Sequence, residues 1–338
     1  MRFHKTTTVF LAAFVCTVFS SCSKNMEVKS FTAMNTYMTV KSYGLHAKKI
    51  NQKVQNEIER LEKILSTTIS DSDTFLLNSQ DSLKPVKIQE ETAFLIEQSQ
   101  RFYKSTGGAF NPALYPVIKE WGFTTGEYKV PEAGRIKELL ELTDFSKVKV
   151  EEKNVYSPAG LQLDFGAIGK GYAGDKALEL LKQGGIKSAL LDFGGNIQVL
   201  GCKPDGSNWT VGIKNPWGGE PVAAVKLRDS CMITSGGYER FFTADDGHKY
   251  IHIFDGTTGC PVENNLESVT IICSQGLYGD VLSTSLFVMG KDKAIDFWRS
   301  TRDFDFVILT KNKGLIYSEP LKDSLTLLYD FESVQIAD

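Results

Sequence analysis

Three places in this chain hold side chains whose type and spacing could do chemistry. Asp280 and Thr284 stand four apart at the start of a strong helical pattern, which sets a carboxylate and a hydroxyl on one face. Hard oxygen donors of this kind suit Mg²⁺ rather than zinc, although an aspartate at a helix start is also an ordinary cap. His252 lies within Tyr250-Ile251-His252-Ile253-Phe254-Asp255, where strand alternation sets it opposite Ile251 and Ile253 and on the face of Tyr250 and Phe254. A histidine so placed serves as a general base or as a structural hydrogen-bonding group. Ser235-Gly236-Gly237, after Thr234, can bring backbone and hydroxyl donors up to a ligand or simply turn the chain. His46 and His248 lack such a context and read as solvent-facing.

A fourth stretch, Leu161 to Asp175, organises the rest. Leu161, Leu163 and Phe165 alternate around Asp164, a turn with Gly166, Gly169 and Gly171 follows, and a helix then buries Ala173, Ala177, Leu180 and Leu181 until Gly184-Gly185. A strand, a glycine turn and a helix start together suit an anion, because glycine lets the backbone approach and the first N–H groups point at the charge. It is not a P-loop: Gly166 and Gly169-Lys170 enclose only two residues, and Gly171 stands where a hydroxyl belongs. Nor does it keep the dinucleotide-binding glycine order.

The elements that must position these groups read as follows. Phe31 to Tyr43 alternates as a strand containing Met34-Asn35-Thr36, and Ile50, Val54, Ile58, Leu61 and Ile64 or Leu65 mark a long amphipathic helix. Ser66 to Asn78 reads as loop, and Glu90 to Tyr103 as a second helix ending at Thr106-Gly107-Gly108. Ala109 to Phe123, rich in proline and aromatic residues, is suited to a binding wall; a short helix runs to Leu142, with strands near Val148 and Val155. Ser188–Phe193 and Ile197–Leu200 form a hairpin around Gly194-Gly195-Asn196, and strands follow at 209–213, 223–227, 231–234, 249–254 and 268–273. One helix from Gly279 to about Arg299 and two strands near Phe306 and Leu315 finish the chain. Strands in runs with a few long helices predict α+β with a largely antiparallel sheet.

Composition bounds the function. The 338 residues carry 38 basic and 41 acidic side chains, a formal net charge of −3 with no basic run, which argues against nucleic acid. Residues 1–22 read as an export signal: Arg2, His4 and Lys5, an apolar core from Val9 to Phe19, then Ser20-Ser21-Cys22. A small-residue pair before cysteine resembles a bacterial lipoprotein signal with Cys22 lipidated, leaving 23–338 as the working domain, held to the membrane by lipid alone. Cys202, Cys231, Cys260 and Cys273 remain; their spacing does not make a zinc site, and the sequence does not choose among the possible pairings.

Taken in order, the motifs resemble those of the ApbE-type FAD:protein FMN transferases. Met34-Asn35-Thr36 is similar to that family's Met-Gly-Thr, and Ser66 to Asn78 keeps its serine, serine and asparagine spacing. Gly108-Ala109-Phe110-Asn111-Pro112 resembles its Gly-Ala-Phe-Asp-Pro, with Trp121-Gly122-Phe123 beyond. Asp164 to Asp175, Gly194-Gly195-Asn196, Ser235 to Tyr238, His252 with Thr258-Gly259, and Asp280 to Gly290 complete the register. Asn35, Asn111, Gly256 and Gly279 depart from the family's glycine, aspartate, proline and alanine, and Thr68 stands where an aromatic flavin contact is common.

The resemblance implies a two-lobed fold, related to the T-fold, with the flavin between the lobes. It implies FAD as substrate, lined by Met34, Thr68, Ala109, Phe110, Asn111, Asp164, Lys170 and Ile251, and Mg²⁺ held by the Ala167 carbonyl, Asp280 and Thr284. His252 would activate a threonine or serine hydroxyl of an acceptor protein, and AMP would leave. The acceptor would be an extracytoplasmic electron-transfer or respiratory subunit, and the enzyme a periplasm-facing lipoprotein, with the inner membrane favoured. Two other readings share these residues: a Mg²⁺-dependent FAD pyrophosphatase, and a non-catalytic flavin-binding lipoprotein.

Overall fold

Met26–Ala33 (β1) and Thr36–Tyr43 (β2) alternate between covered and open positions, as strands with one packed face must. They pair antiparallel, Ala33 opposite Thr36, so Met34 and Asn35 form a two-residue turn with φ of 49° and 57°. The single strand expected over Phe31–Tyr43 is therefore a hairpin: apolar alternation runs on both sides of a turn that only Asn35 marks. In this computed structural model residues 25–80 and 84–338 are described. The signal boundary expected at Cys22 lies outside them, and no helix of the described residues is long and apolar enough to cross a membrane.

The sheet continues through Ser188–Phe193 (β3), Asn196–Leu200 (β4), Cys231–Gly236 (β5), Leu266–Cys273 (β6), Asp305–Thr310 (β7), Gly314–Ser318 (β8) and Ser333–Ala337 (β9). Its nine strands lie side by side in chain order, all antiparallel except the closing β8–β9 pair. The expected α+β class with a largely antiparallel sheet is what forms. Helices Ala47–Leu65 (α1), Glu90–Ser105 (α2), Gly169–Gln183 (α3), Gly276–Met289 (α4) and Lys291–Thr301 (α5) are the longest. The α1 stripe Ile50, Val54, Ile58, Leu61, Ile64 and Leu65 is buried as its spacing predicts, in one core with β1–β3 and α3. A second core joins α4 and α5 to β5–β7. The opposite face is covered by a three-stranded sheet of 209–213, 223–227 and 325–327. With both faces covered, β4 buries all five of its residues.

Four local expectations change. Ser66–Asn78 contains a helix, Asp73–Asn78, because Ser72 caps it by accepting from Phe75 N–H. The last helix breaks in two at Gly290 (φ 76°). Four strands rather than two end the chain, two of them short or exposed and thus weakly patterned. The aromatic run at 109–123 is no open wall: Trp121 and Phe123 are buried against Phe254 in a small core of their own.

Helices α3 and α4 meet backbone to backbone. A Cβ on Gly171 would lie 2.2 Å from the Gly276 carbonyl oxygen, and one on Gly276 would lie 1.8 Å from Gln198 Nε2. Gln198, on β4, donates from that Nε2 to the Gly171 carbonyl at 3.1 Å and wedges the crossing from below. Gly171→Ala is therefore expected to lower unfolding free energy by about 2 kcal/mol or more, since backbone must move. Gly134→Ala, in helix 133–140 with nothing within 4 Å, should instead raise it by about 0.5 kcal/mol. Urea denaturation of the two variants reads both signs.

Candidate functional site

The segment 161–168 that feeds α3 is not a strand. Its backbone is held by a side chain instead: Asn78 donates from Nδ2 to the Leu163 carbonyl (2.8 Å) and accepts from Leu163 N–H (2.7 Å). Asp164 N–H then donates to the Pro112 carbonyl at 2.9 Å, which ties the segment to the 109–112 turn. A side-chain clamp satisfies backbone that a sheet would otherwise pair, and alternation alone cannot distinguish the two.

Asp164 Oδ1 accepts from Gly166 N–H at 2.9 Å, closing the turn before the helix. Lys170 lies one turn on, its Nζ 3.4 Å from the Gly166 carbonyl. Gly171 N–H donates to Asp280 Oδ2 at 2.8 Å. Ile168 is the N-cap of α3 and takes the first ladder bond, from Tyr172 N–H, so Gly171 N–H is one of the first-turn donors without a partner in the helix and Ala167 precedes the cap. Asp175, further along α3, accepts from both Gly276 N–H (2.7 Å) and Leu277 N–H (2.8 Å) and so caps α4. Two carboxylates, one on each helix, lock the helix starts together.

Asp280 is 5 % exposed, and burial pushes its carboxyl up against the opposing pull of the Lys170 charge and of the Gly171 and Lys170 N–H groups. Thr284 stands a turn below; its Oγ1 is 3.1 Å from Ser235 Oγ, which is also 2.8 Å from Ser283 Oγ. Ser235 thus orients the hydroxyl that helical spacing brought beside Asp280. Asp164 is raised by burial too, with Gly166 N–H, Lys170 and Arg240 opposing.

His252 sits past the end of strand 249–251, not within a continuous one, because the ladder stops at Ile251 and resumes in the separate pair 254–255 and 260–261. Its backbone N–H donates to the Arg240 carbonyl, and its ring Nδ1 is 3.1 Å from the same oxygen. A carbonyl only accepts, so Nδ1 carries the proton and Nε2 keeps its lone pair. Burial, then the nearby Arg240 and Lys170 charges, lower the ring to about 4, so it is neutral near pH 7. Lys170 bears on Asp164, Asp280 and His252 alike, so all three lie within range of its charge.

The remaining predicted residues are placed less uniformly. Asn111 is fully engaged, its Nδ2 donating to the Thr143 carbonyl and its Oδ1 accepting from Ala113 N–H. Gly256 packs beside it: a Cβ there would be 3.7 Å from Asn111 Nδ2, which links the 109–112 turn to the loop after His252. Ala109 is half-buried beside it, whereas the Phe110 ring is buried in the core, edge-on to Phe102 at 6.3 Å. Ile251 is half-buried against Gly237. Met34 donates its N–H to Glu62 Oε1 at 2.7 Å on the α1 side, and Thr68 is exposed and bonds to Ser66. His46 and His248 are exposed, as expected. Arg240 escaped the sequence reading, because what it offers His252 is a carbonyl that any residue has.

For Mg²⁺ the donor set would be the Asp280 carboxylate, the Thr284 hydroxyl and the Ala167 carbonyl before the α3 cap, all hard oxygens. Among the described residues no cluster of three or more His, Cys, Asp or Glu could hold a metal. One carboxylate with neutral oxygens fits an ion that keeps water and shares a substrate's phosphates.

Comparisons with known proteins bear on the family. The ApbE family model matches residues 34–308. The chain is 33% identical over 346 aligned positions to the FAD:protein FMN transferase of Treponema pallidum, covering 94% of each. It is 32% identical over 301 positions to one of Klebsiella pneumoniae, covering 87% of this chain and 93% of that protein. The crystal structure of the ApbE protein from Thermotoga maritima superposes with a TM-score of 0.83 at 29% identity, covering 89% of this chain and 99% of that one. The apo flavinyl transferase ApbE of Pseudomonas stutzeri gives 0.77 at 28%, covering 85% and 92%.

The lowered His252 sets a pH dependence. The unfolded ring titrates near 6.5 and the folded one near 4, so its contribution to stability is complete above about pH 6.5 and is lost as pH falls through 4. Between pH 7 and 4 the urea midpoint of His252→Gln should fall less than that of the parent, and the parent's His252 ring resonances should titrate near pH 4.

Proposed function

The chain belongs to the ApbE family and is an enzyme of its FAD:protein FMN transferase kind; on that premise we propose that it uses Mg²⁺ to move FMN from FAD onto a threonine or serine hydroxyl, releasing AMP. The observation that carries this reading is Asp280 held at the start of α3 by Gly171 N–H, one helical turn from Thr284, with a neutral His252 under the same Lys170 charge. Asp280, Thr284 and Ala167 would hold Mg²⁺, which when bound supplies the positive charge that a pyrophosphate needs to accept a nucleophile.

The chain's own residues do the rest. Lys170 adds a cation beside the same carboxylates, where a pyrophosphate's charge would lie. His252 Nε2 takes the proton of the acceptor hydroxyl as its oxygen attacks the FMN phosphorus, and the AMP phosphate leaves. Nδ1–H, fixed on the Arg240 carbonyl, keeps the ring in the tautomer this requires. Asp164 and the 109–112 turn, joined through the Pro112 carbonyl, form the neighbouring wall for the flavin nucleotide. The acceptor we infer is an extracytoplasmic electron-carrying subunit, met by an enzyme tethered through Cys22 on the periplasmic side; the export signal read in residues 1–22 supports this.

The test incubates the protein with FAD, Mg²⁺ and a threonine-bearing acceptor domain, then measures the acceptor's intact mass. The parent should add one FMN per acceptor and release AMP. Asp280→Asn should cut the rate at least about 100-fold and make it insensitive to added Mg²⁺. His252→Ala should cut it by about 100-fold to 10,000-fold with FAD binding kept. Free FMN and AMP without acceptor modification, across several acceptors, would point to a pyrophosphatase; FAD left intact would leave only a flavin binder.

A further inference from the structure

Cys231 on β5 and Cys273 on β6 occupy directly opposed positions of the antiparallel ladder. Their side chains are 1 % and 8 % exposed, and the two sulfurs lie 3.3 Å apart. Opposed antiparallel residues have Cα atoms about 4.5–5.5 Å apart, inside the span a disulfide bridges, so bond formation needs side-chain rotation and no shift of strand register. Of the four cysteines in the described residues these are the two that meet; Cys260 is exposed and Cys202 partly so.

The site is also shaped for sulfur. Gly279 of α4 lies over the pair, and a Cβ there would stand 3.2 Å from Cys273 Sγ and 3.3 Å from Cys231 Sγ. A glycine at this position leaves the room that two adjacent sulfurs occupy. The next residue of α4 is Asp280, whose carboxylate receives Gly171 N–H.

We propose that Cys231 and Cys273 form a buried cross-strand disulfide when the chain folds under oxidising conditions, stapling β5 to β6 beneath the helix that carries Asp280. One thiolate attacks an external small-molecule or protein disulfide, giving a mixed disulfide and releasing a first thiol. The second cysteine thiolate displaces the remaining thiol, so two protons and two electrons leave the pair and the external disulfide becomes two thiols. The exchange occurs before the strands close, because the thiolate is the nucleophile and the folded site holds the Cys231 thiol protonated. The geometry stands apart from the export reading, which concerns only where the oxidant is met.

The test uses the full chain, unfolded and refolded with a glutathione redox couple, then alkylated in denaturant without reduction and mapped by mass spectrometry. A peptide pair joining Cys231 to Cys273, two hydrogens lighter than the separate thiols, with Cys202 and Cys260 alkylated, is expected. Alkylation of both Cys231 and Cys273, or linkage of either to any other cysteine of the chain, would overturn the proposal. As a second readout, dithiothreitol should lower the melting temperature of the oxidised protein by about 5 °C. It should leave a Cys231→Ala/Cys273→Ala variant unmoved; equal insensitivity of the parent would also count against the bond.

Discussion

The structure depends on one close contact, the crossing of α3 and α4 at Gly171 and Gly276. No side chain fits between the two backbones, so the helix starts approach far more closely than ordinary packing allows. That proximity lets a carboxylate from each helix reach the N–H groups of the other: Asp175 caps α4, and Asp280 takes Gly171 N–H. Each helix supplies what the other's first turn lacks. The arrangement is stable because positive helix ends and buried carboxylates neutralise one another.

The same contact creates the site. Asp280 accepts the Gly171 N–H that the first turn of α3 leaves without a partner, so the device that joins the helices also fixes this carboxylate at the start of α3. Burial raises Asp164 and Asp280, which means both are held in surroundings that favour a cation. Lys170 partly meets that demand. His252, kept neutral first by burial and then by the Arg240 and Lys170 charges, leaves its unprotonated nitrogen uncommitted to Arg240.

Much of the remaining chain holds these groups at fixed distances. The nine-stranded sheet places β4, β5 and β6 under α3 and α4, so Gln198 reaches the start of α3 and Ser235 the middle of α4. Asn78 does comparable work from the other side by clamping Leu163, and this accounts for the polar segment 66–78 that seemed only a loop in the sequence. The aromatic residues near 121–128 do not line a surface; they make a small core that anchors the loops flanking His252.

The sequence by itself determined the α+β class, the buried stripe of α1, and the pairing of Asp280 with Thr284, because each is encoded by a local period of two or 3.6 residues. The order of short motifs also carried the family, since many modest signals in register leave little freedom. Tertiary structure alone decided the tautomer of His252, the bond from Gly171 N–H to Asp280, the Asn78 clamp and the meeting of Cys231 with Cys273. Each of these rests on a backbone atom common to all residues or on partners 12 to 109 positions apart, and neither leaves a trace in local composition.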